Sequence, residues 1–102
     1  MKEIISKENK KKVRHNFIVW MNEKHPNIAR PEIMASNVML SINNDIGFSI
    51  NDLLTGKITI DEYEKKYIDY FIKIGRKSAM NHASVQKNNA RYFIDFFNSQ
   101  YK

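Results

Sequence analysis

Residues 59–75 read TIDEYEKKYIDYFIKIG, and this stretch decides the fold class. Thr59 is followed three residues later by Glu62, which is a capping box: each side chain can bind the other residue's backbone N–H at a helix start. Gly75 is a residue type typical of helix ends. Between these signals, apolar side chains recur at helical spacing, at Ile60, Tyr63, Tyr67, Tyr70, Phe71 and Ile74. The stretch therefore predicts an amphipathic helix with well-defined ends.

The first half of the chain shows the same helical spacing twice more. A first helix is predicted from near Lys7 to Lys24, ending before Pro26, since a residue that precedes proline disfavours helical geometry. A second is predicted from Pro31, a good first-turn residue, to the terminator Gly47. Their apolar stripes are Val13, Phe17, Trp20 and Met21, then Met34, Val38, Ile42 and Ile46.

The remaining segments complete an all-helical chain. Ser49 and Asp52 form a smaller capping box for a short helix that Gly56 closes. The last helix is predicted from Ala83 to Ser99, with a core stripe of Ala90, Phe93, Ile94, Phe97 and Tyr101. Sustained two-residue alternation is absent from the sequence. We therefore expect an all-α fold, a compact bundle of four main helices plus one short helix, in one domain over residues 1–102 with 1–8 frayed.

Composition narrows the functional classes. The 102-residue chain has no cysteine, so a disulfide framework or thiol nucleophile is excluded. Its longest apolar run is too short to cross a bilayer, and its first residues lack the apolar core of a signal peptide. A cytoplasmic protein that does not act at a membrane is the expectation.

An enzyme is not expected. Gly56-Lys57-Ile58-Thr59 resembles part of a phosphate loop, but Asn51 stands where the earlier glycine belongs. His15, His25 and His82 are far apart in the sequence and lack metal-ligand spacing. We therefore predict no catalytic residues, no metal site and no cofactor.

The net charge of +6 is unevenly distributed along the chain. Residues 1–14 carry +4, residues 15–69 carry −3, and residues 70–94 carry +5 without any acid. Two basic blocks can produce a directional field that attracts a polyanion if they share a face. The alternative is that the lysines only keep a small protein soluble.

The acid-free block is the strongest functional feature of the sequence. Lys87 and Arg91 lie one i, i+4 step apart, so they share a helix face where they repel each other unless phosphates neutralise them. Glutamine and asparagine beside them are side chains that read base edges. The predicted nucleic-acid-binding residues are Arg76, Lys77, Gln86, Lys87, Asn88 and Arg91, assisted by Lys10, Lys11 and Lys12.

The order of the predicted helices resembles the SAM-like core-binding domain of tyrosine recombinases and phage integrases, and related modules of restriction enzymes. The resemblance rests on the segments 17–21, 50–54, 70–72 and 83–97. It implies a non-catalytic clamp on duplex DNA, from a phage or mobile element, with Lys87, Asn88 and Arg91 on the DNA-facing last helix. The chain would then be a fragment of a larger protein or a free-standing relative.

A protein-binding role is the alternative hypothesis. A small adaptor, or a phage inhibitor of a nucleic-acid-handling enzyme, would have this size and no chemistry of its own. Its contacts would be the acidic group Asp61, Glu62 and Glu64 and an aromatic flank of Tyr92 and Phe96. The other aromatic residues fall on helical stripes and are interpreted as core packing instead of base-stacking platforms.

Overall fold

The computed structural model describes residues 4–44 and 46–101. Within these ranges the chain forms six helices and no strand, so the predicted all-α class is confirmed. The helices are α1 (Lys10–Lys24), α2 (Pro31–Val38), α3 (Leu40–Asn43), α4 (Ile50–Leu54), α5 (Ile60–Lys73) and α6 (Ala79–Tyr101). The predicted second helix is divided at Met39 into α2 and α3.

Helix α6 is the longest helix, and α1, α2 and α5 all pack against it. Its 23 residues span about 34 Å at the usual rise per residue. Helix α5 packs along the first half of α6, where the rings of Phe71 and His82 lie 5.9 Å apart. Helix α1 reaches the second half, where the ring of Phe17 lies 5.1 Å from that of Phe93 and 5.2 Å from that of Phe96. Helix α2 also packs against α6.

Two aromatic clusters fill the core at the two ends of α6. The first joins α1 to α6 through Phe17, Trp20, Phe93 and Phe96. The second surrounds α5, where Phe48 meets Tyr63 and Tyr67 edge to face. Edge-to-face pairs add to the free energy gained from burying the rings. These clusters account for most of the aromatic content as packing, as the helical stripes predict.

The rotation of α6 differs from the prediction. Ala90 and Phe93 are buried as expected, but Phe97 and Ile94 are only half-buried. The buried arc instead consists of Ala83, Gln86, Asn89, Ala90, Phe93 and Phe96. The helix also begins at Ala79 and not at Ala83. Because residues 92–97 are apolar at five of six positions, spacing alone could not fix which side faces inward.

The ends of α5 and the start of α4 follow the predicted signals, whereas α1 begins at Lys10 and α3 ends at Asn43, before Gly47. Both capping boxes form: Thr59 Oγ accepts from the Glu62 N–H, and Ser49 is paired with Asp52 in the same way. The Thr59 backbone N–H donates to the Glu62 carboxylate, and this bond holds the pKa of Glu62 below its ordinary value. Gly75 adopts φ +76°, a conformation that glycine tolerates, and so ends α5. Ile74, predicted in the core, lies beyond the last turn and is exposed.

The described residues before α1 are hydrogen-bonded to the rest of the fold, although residues 1–8 were expected to fray. Ile5 is buried, and its backbone N–H and carbonyl both bind the side chain of Asn51 at 2.8 Å. Asn51 is itself buried, so the two hydrogen bonds satisfy a polar group that would otherwise destabilise the core. Residues 1–3, like the side chain of Tyr101 that was predicted in the core, lie outside the described residues.

Alanine substitutions of the two neighbouring phenylalanines test the rotation of α6. We expect Phe96→Ala to lower the free energy of unfolding by about 3–5 kcal/mol, the usual cost of emptying a buried phenylalanine site. Phe97→Ala should cost less, because a half-buried ring removes less apolar area from water. Urea unfolding followed by circular dichroism measures both values. A larger loss for Phe97→Ala would contradict the observed rotation.

Candidate nucleic-acid interface

Lys87 does not project as an unpaired cation. Its ammonium group lies 3.0 Å from Asp61 Oδ1 and 3.4 Å from Glu64 Oε1, across the packed faces of α5 and α6. The hydrogen bond with Asp61 raises the pKa of Lys87 above its ordinary value. The prediction that Lys87 faces outward without an acidic neighbour is therefore wrong. The acids come from α5, so the acid-free stretch of sequence does not produce an acid-free surface.

The predicted exposure of Gln86 is also wrong. It lies in the buried arc of α6, and its Oε1 has no hydrogen-bond partner among the described residues. A side chain held under a neighbouring helix cannot reach a base edge in a groove. Asn88 and Arg91 are exposed as predicted, which leaves α6 with one of its two predicted cations free of ion pairs.

The contacts predicted for a protein partner are largely used by the fold itself. Phe96 is fully buried, and Tyr92 is half-buried with its ring 5.0 Å from that of His25. Asp61 and Glu64 hold Lys87, while Glu62 caps α5. The exposed aromatic flank expected at Tyr92 and Phe96 is therefore not formed.

Arg76 and Lys77 are exposed in the turn between α5 and α6, and we call these two residues the basic corner. The guanidinium carbon of Arg76 lies 5.3 Å from the centre of the Phe71 ring, a cation–π contact. The Arg76 N–H also donates to the Phe71 carbonyl at 2.8 Å as the chain leaves α5. The backbone hydrogen bond fixes the main chain at Arg76, and the cation–π contact positions its side chain while leaving the charge without an acidic partner.

A second group of cations lies on α1, where Lys10 and Arg14 are one helical turn apart. Lys10 donates to Asn43 of α3. Arg14 donates from Nε to Ser36 Oγ at 3.1 Å and from Nη2 to the Glu32 carbonyl at 3.0 Å. All three acceptors are neutral, so the hydrogen bonds fix the two side chains without cancelling their charges.

We call Lys10, Lys11 and Arg14, together with Ser36 and Asn43, the α1 basic surface. Lys11 is exposed next to Lys10, as predicted. Lys12 points elsewhere: it lines an apolar groove with Ile4, Ile5 and Phe97. Arg14 was not among the predicted residues, although its i, i+4 relation to Lys10 is the same signal that drew attention to Lys87 and Arg91.

The cations of the α1 basic surface differ from Lys87 in their ion pairing. Across residues 4–44 and 46–100, the only ion pairs are those of Lys87 with Asp61 and Glu64. Arg14 binds the backbone carbonyl of Glu32 and not its carboxylate. The positive charge of the α1 basic surface is therefore available to an external anion.

The described part of the chain offers no cluster of metal-binding side chains. No group of three or more histidine, cysteine, aspartate or glutamate residues is placed there to hold a metal ion. His25 packs between Trp20 and Tyr92, and His82 packs on Phe71. Two of the three histidines thus have structural surroundings that account for them.

No family model, curated protein or solved structure matches this chain. The resemblance to the SAM-like recombinase domain stays a prediction. In the described ranges, none of the helices has the length and apolar character needed to cross a membrane.

Two buried tyrosines carry the largest pKa shifts. Burial raises the pKa of Tyr67 to about 12 and that of Tyr63 well above its ordinary value. The two phenols are close enough to interact, but neither hydroxyl has a well-formed hydrogen bond among the described groups. Burial therefore favours the neutral phenol at both positions.

Tyr67→Phe tests this effect of burial through alkaline stability. Because burial raises the pKa of the Tyr67 phenol, the stability of the wild type falls as the pH rises from the ordinary value of 10.0 toward 12. The variant should therefore lose less stability than wild type above pH 10. At neutral pH it should be more stable by about 1 kcal/mol, because a buried unsatisfied hydroxyl is removed. Thermal melts across this range would contradict the account if both proteins showed the same pH dependence.

Proposed function

We propose that the protein is a non-catalytic helical module that binds duplex DNA through the α1 basic surface. The observation that carries the proposal is the pair Lys10 and Arg14, fixed one turn apart by hydrogen bonds to neutral acceptors on α2 and α3. Side chains held in place lose less conformational freedom when they bind, so their contacts with phosphate contribute more to affinity.

Arg14 is suited to bind a phosphate oxygen pair. A guanidinium has five N–H donors, and two of these are used within the protein. Three donors remain for an external acceptor, and arginine binds phosphate in a planar, bidentate geometry. Lys10 uses one of its three donors on Asn43, and Lys11 adds an exposed cation.

The proposed binding is insensitive to base sequence. Phosphate contacts position a protein on the duplex, whereas base-edge contacts specify the sequence. The α1 basic surface offers cations, and the glutamine predicted to read bases is buried in α6. The basic corner of Arg76 and Lys77 adds to the field of a chain with net charge +6 and increases the rate of encounter with DNA.

The loss of two phosphate contacts should be measurable as a change in salt dependence. The logarithm of the binding constant falls with the logarithm of salt concentration by about 0.9 for each phosphate neutralised. We expect Lys10→Gln/Arg14→Gln to make the slope shallower by about 1.8 and to weaken binding to duplexes of any sequence. Fluorescence anisotropy with a labelled duplex at several salt concentrations gives both quantities.

The matched control removes the same charge elsewhere. Lys57 and Lys65 are exposed and outside the α1 basic surface, so Lys57→Gln/Lys65→Gln should keep the wild-type slope. If the Lys10/Arg14 variant melts early, Lys11→Gln alone, at an exposed position, should still reduce the slope by about 0.9. A flat salt response of the wild type, or equal losses in both double variants, would reject the proposal.

A further inference from the structure

The chain that precedes α1 is anchored to the fold by one polar side chain. Residues 4–9, which we call the N-terminal strap, place Ile5 in the core with 1% of its surface exposed. The Ile5 N–H donates to Asn51 Oδ1, and Asn51 Nδ2 donates to the Ile5 carbonyl, both at 2.8 Å. In the described ranges, no other hydrogen bond joins the strap to a helix other than α1. Asn51 of α4 is therefore the polar anchor of the strap.

The N-terminal strap is continuous with the first turn of α1. The Lys10 N–H donates to the Ser6 carbonyl at 3.0 Å. The side chain of Asn9 binds back along the strap: its Oδ1 accepts from the Ser6 N–H at 2.8 Å, and its Nδ2 donates to the Ile4 carbonyl at 3.0 Å. These bonds make the strap a closed turn, so a strap that leaves Asn51 also disturbs the backbone acceptor of Lys10.

The first turn of α1 has little stabilisation of its own. It begins with Lys10, Lys11 and Lys12, contains no acid, and its N-cap Asn9 forms no side-chain hydrogen bond to the helix. The start of a helix carries partial positive charge, so acids stabilise it and lysines do not. Glu8 lies just before the helix, but residues 4–14 still carry a net charge of +4. The order of this turn therefore depends in part on the strap.

We infer that docking of the N-terminal strap and DNA binding are coupled, with Asn51 as a positioning residue; this inference rests on the proposed function. Lys10 and Lys11 keep their helical arrangement on the α1 basic surface only while the first turn is formed. The docked strap supports that turn through the backbone, and phosphates that neutralise its lysines support it through the side chains. Two interactions that favour the same state of a segment strengthen each other by an equal factor.

The coupling reaches a buried amide that a duplex does not contact. The Ile5 N–H is hydrogen-bonded to Asn51 beneath the surface, and it exchanges with solvent only when the strap opens. DNA bound at Lys10 and Lys11 favours the docked strap, so it should slow the exchange of the Ile5 amide. Slower exchange at this position reports the coupling itself, because a purely structural anchor would not respond to DNA.

Asn51→Ala tests the coupling by removing the anchor. We expect the affinity for a duplex to fall about fivefold or more, because part of the binding free energy must then order the first turn. The slope of affinity against salt should stay near that of the wild type, since every cation remains. This result would separate Asn51 from Lys10 and Arg14, whose removal changes the slope. Fluorescence anisotropy gives the affinity and the slope, and amide exchange followed by NMR gives the protection of Ile5 with and without a short duplex.

Asn89→Ala is the matched control, because Asn89 is a buried asparagine of α6 outside the strap and the α1 basic surface. It should keep the wild-type affinity and the wild-type exchange at Ile5. If Asn51→Ala does not fold, Asn9→Ala, which opens the turn without emptying a core site, should lower the affinity in the same direction. A wild type that does not bind a duplex would reject the proposed function itself. A wild type that binds, with Ile5 exchange unaffected by DNA and Asn51→Ala equal to Asn89→Ala, would overturn the coupling alone.

Discussion

The packing of α6 against both aromatic clusters is the constraint from which the rest of the structure follows. Phe93 and Phe96 meet Phe17 of α1, and this contact fixes the rotation of the whole helix. Once that rotation is set, Gln86 must face inward and Lys87 must lie beside the acids of α5. A helix that appears basic in the sequence therefore presents only part of that charge to solvent.

The same contact determines which side of α1 is free. Because Phe17 and Trp20 face α6, Lys10 and Arg14 lie toward α2 and α3, where Ser36 and Asn43 accept their hydrogen bonds. Neutral acceptors orient a cation while leaving its field intact, whereas the carboxylates around Lys87 cancel it. This difference in acceptor moves the proposed polyanion contact from the last helix to the first.

Local features of the fold could be predicted from the sequence, and tertiary ones could not. The capping boxes at Ser49 and Thr59 depend on residues three apart, so the pattern alone identifies them. The burial of Gln86 and the pairing of Lys87 depend on residues more than twenty positions away, which no periodicity reveals. Asn51 is similar, since its partner is the backbone of Ile5. Of the cations in the proposed α1 basic surface, the charge pattern of the sequence pointed to Lys10 and Lys11 but not to Arg14.

Amide chemical-shift mapping during titration with a short duplex tests the central claim most directly, because it locates the contact without altering any side chain. The account predicts that the largest shifts cluster at residues 10–14, with smaller ones near Ser36 and Asn43, and that they diminish as salt is added. Shifts concentrated on the outward face of α6 around Asn88 and Arg91, or no shifts at low salt, would contradict it.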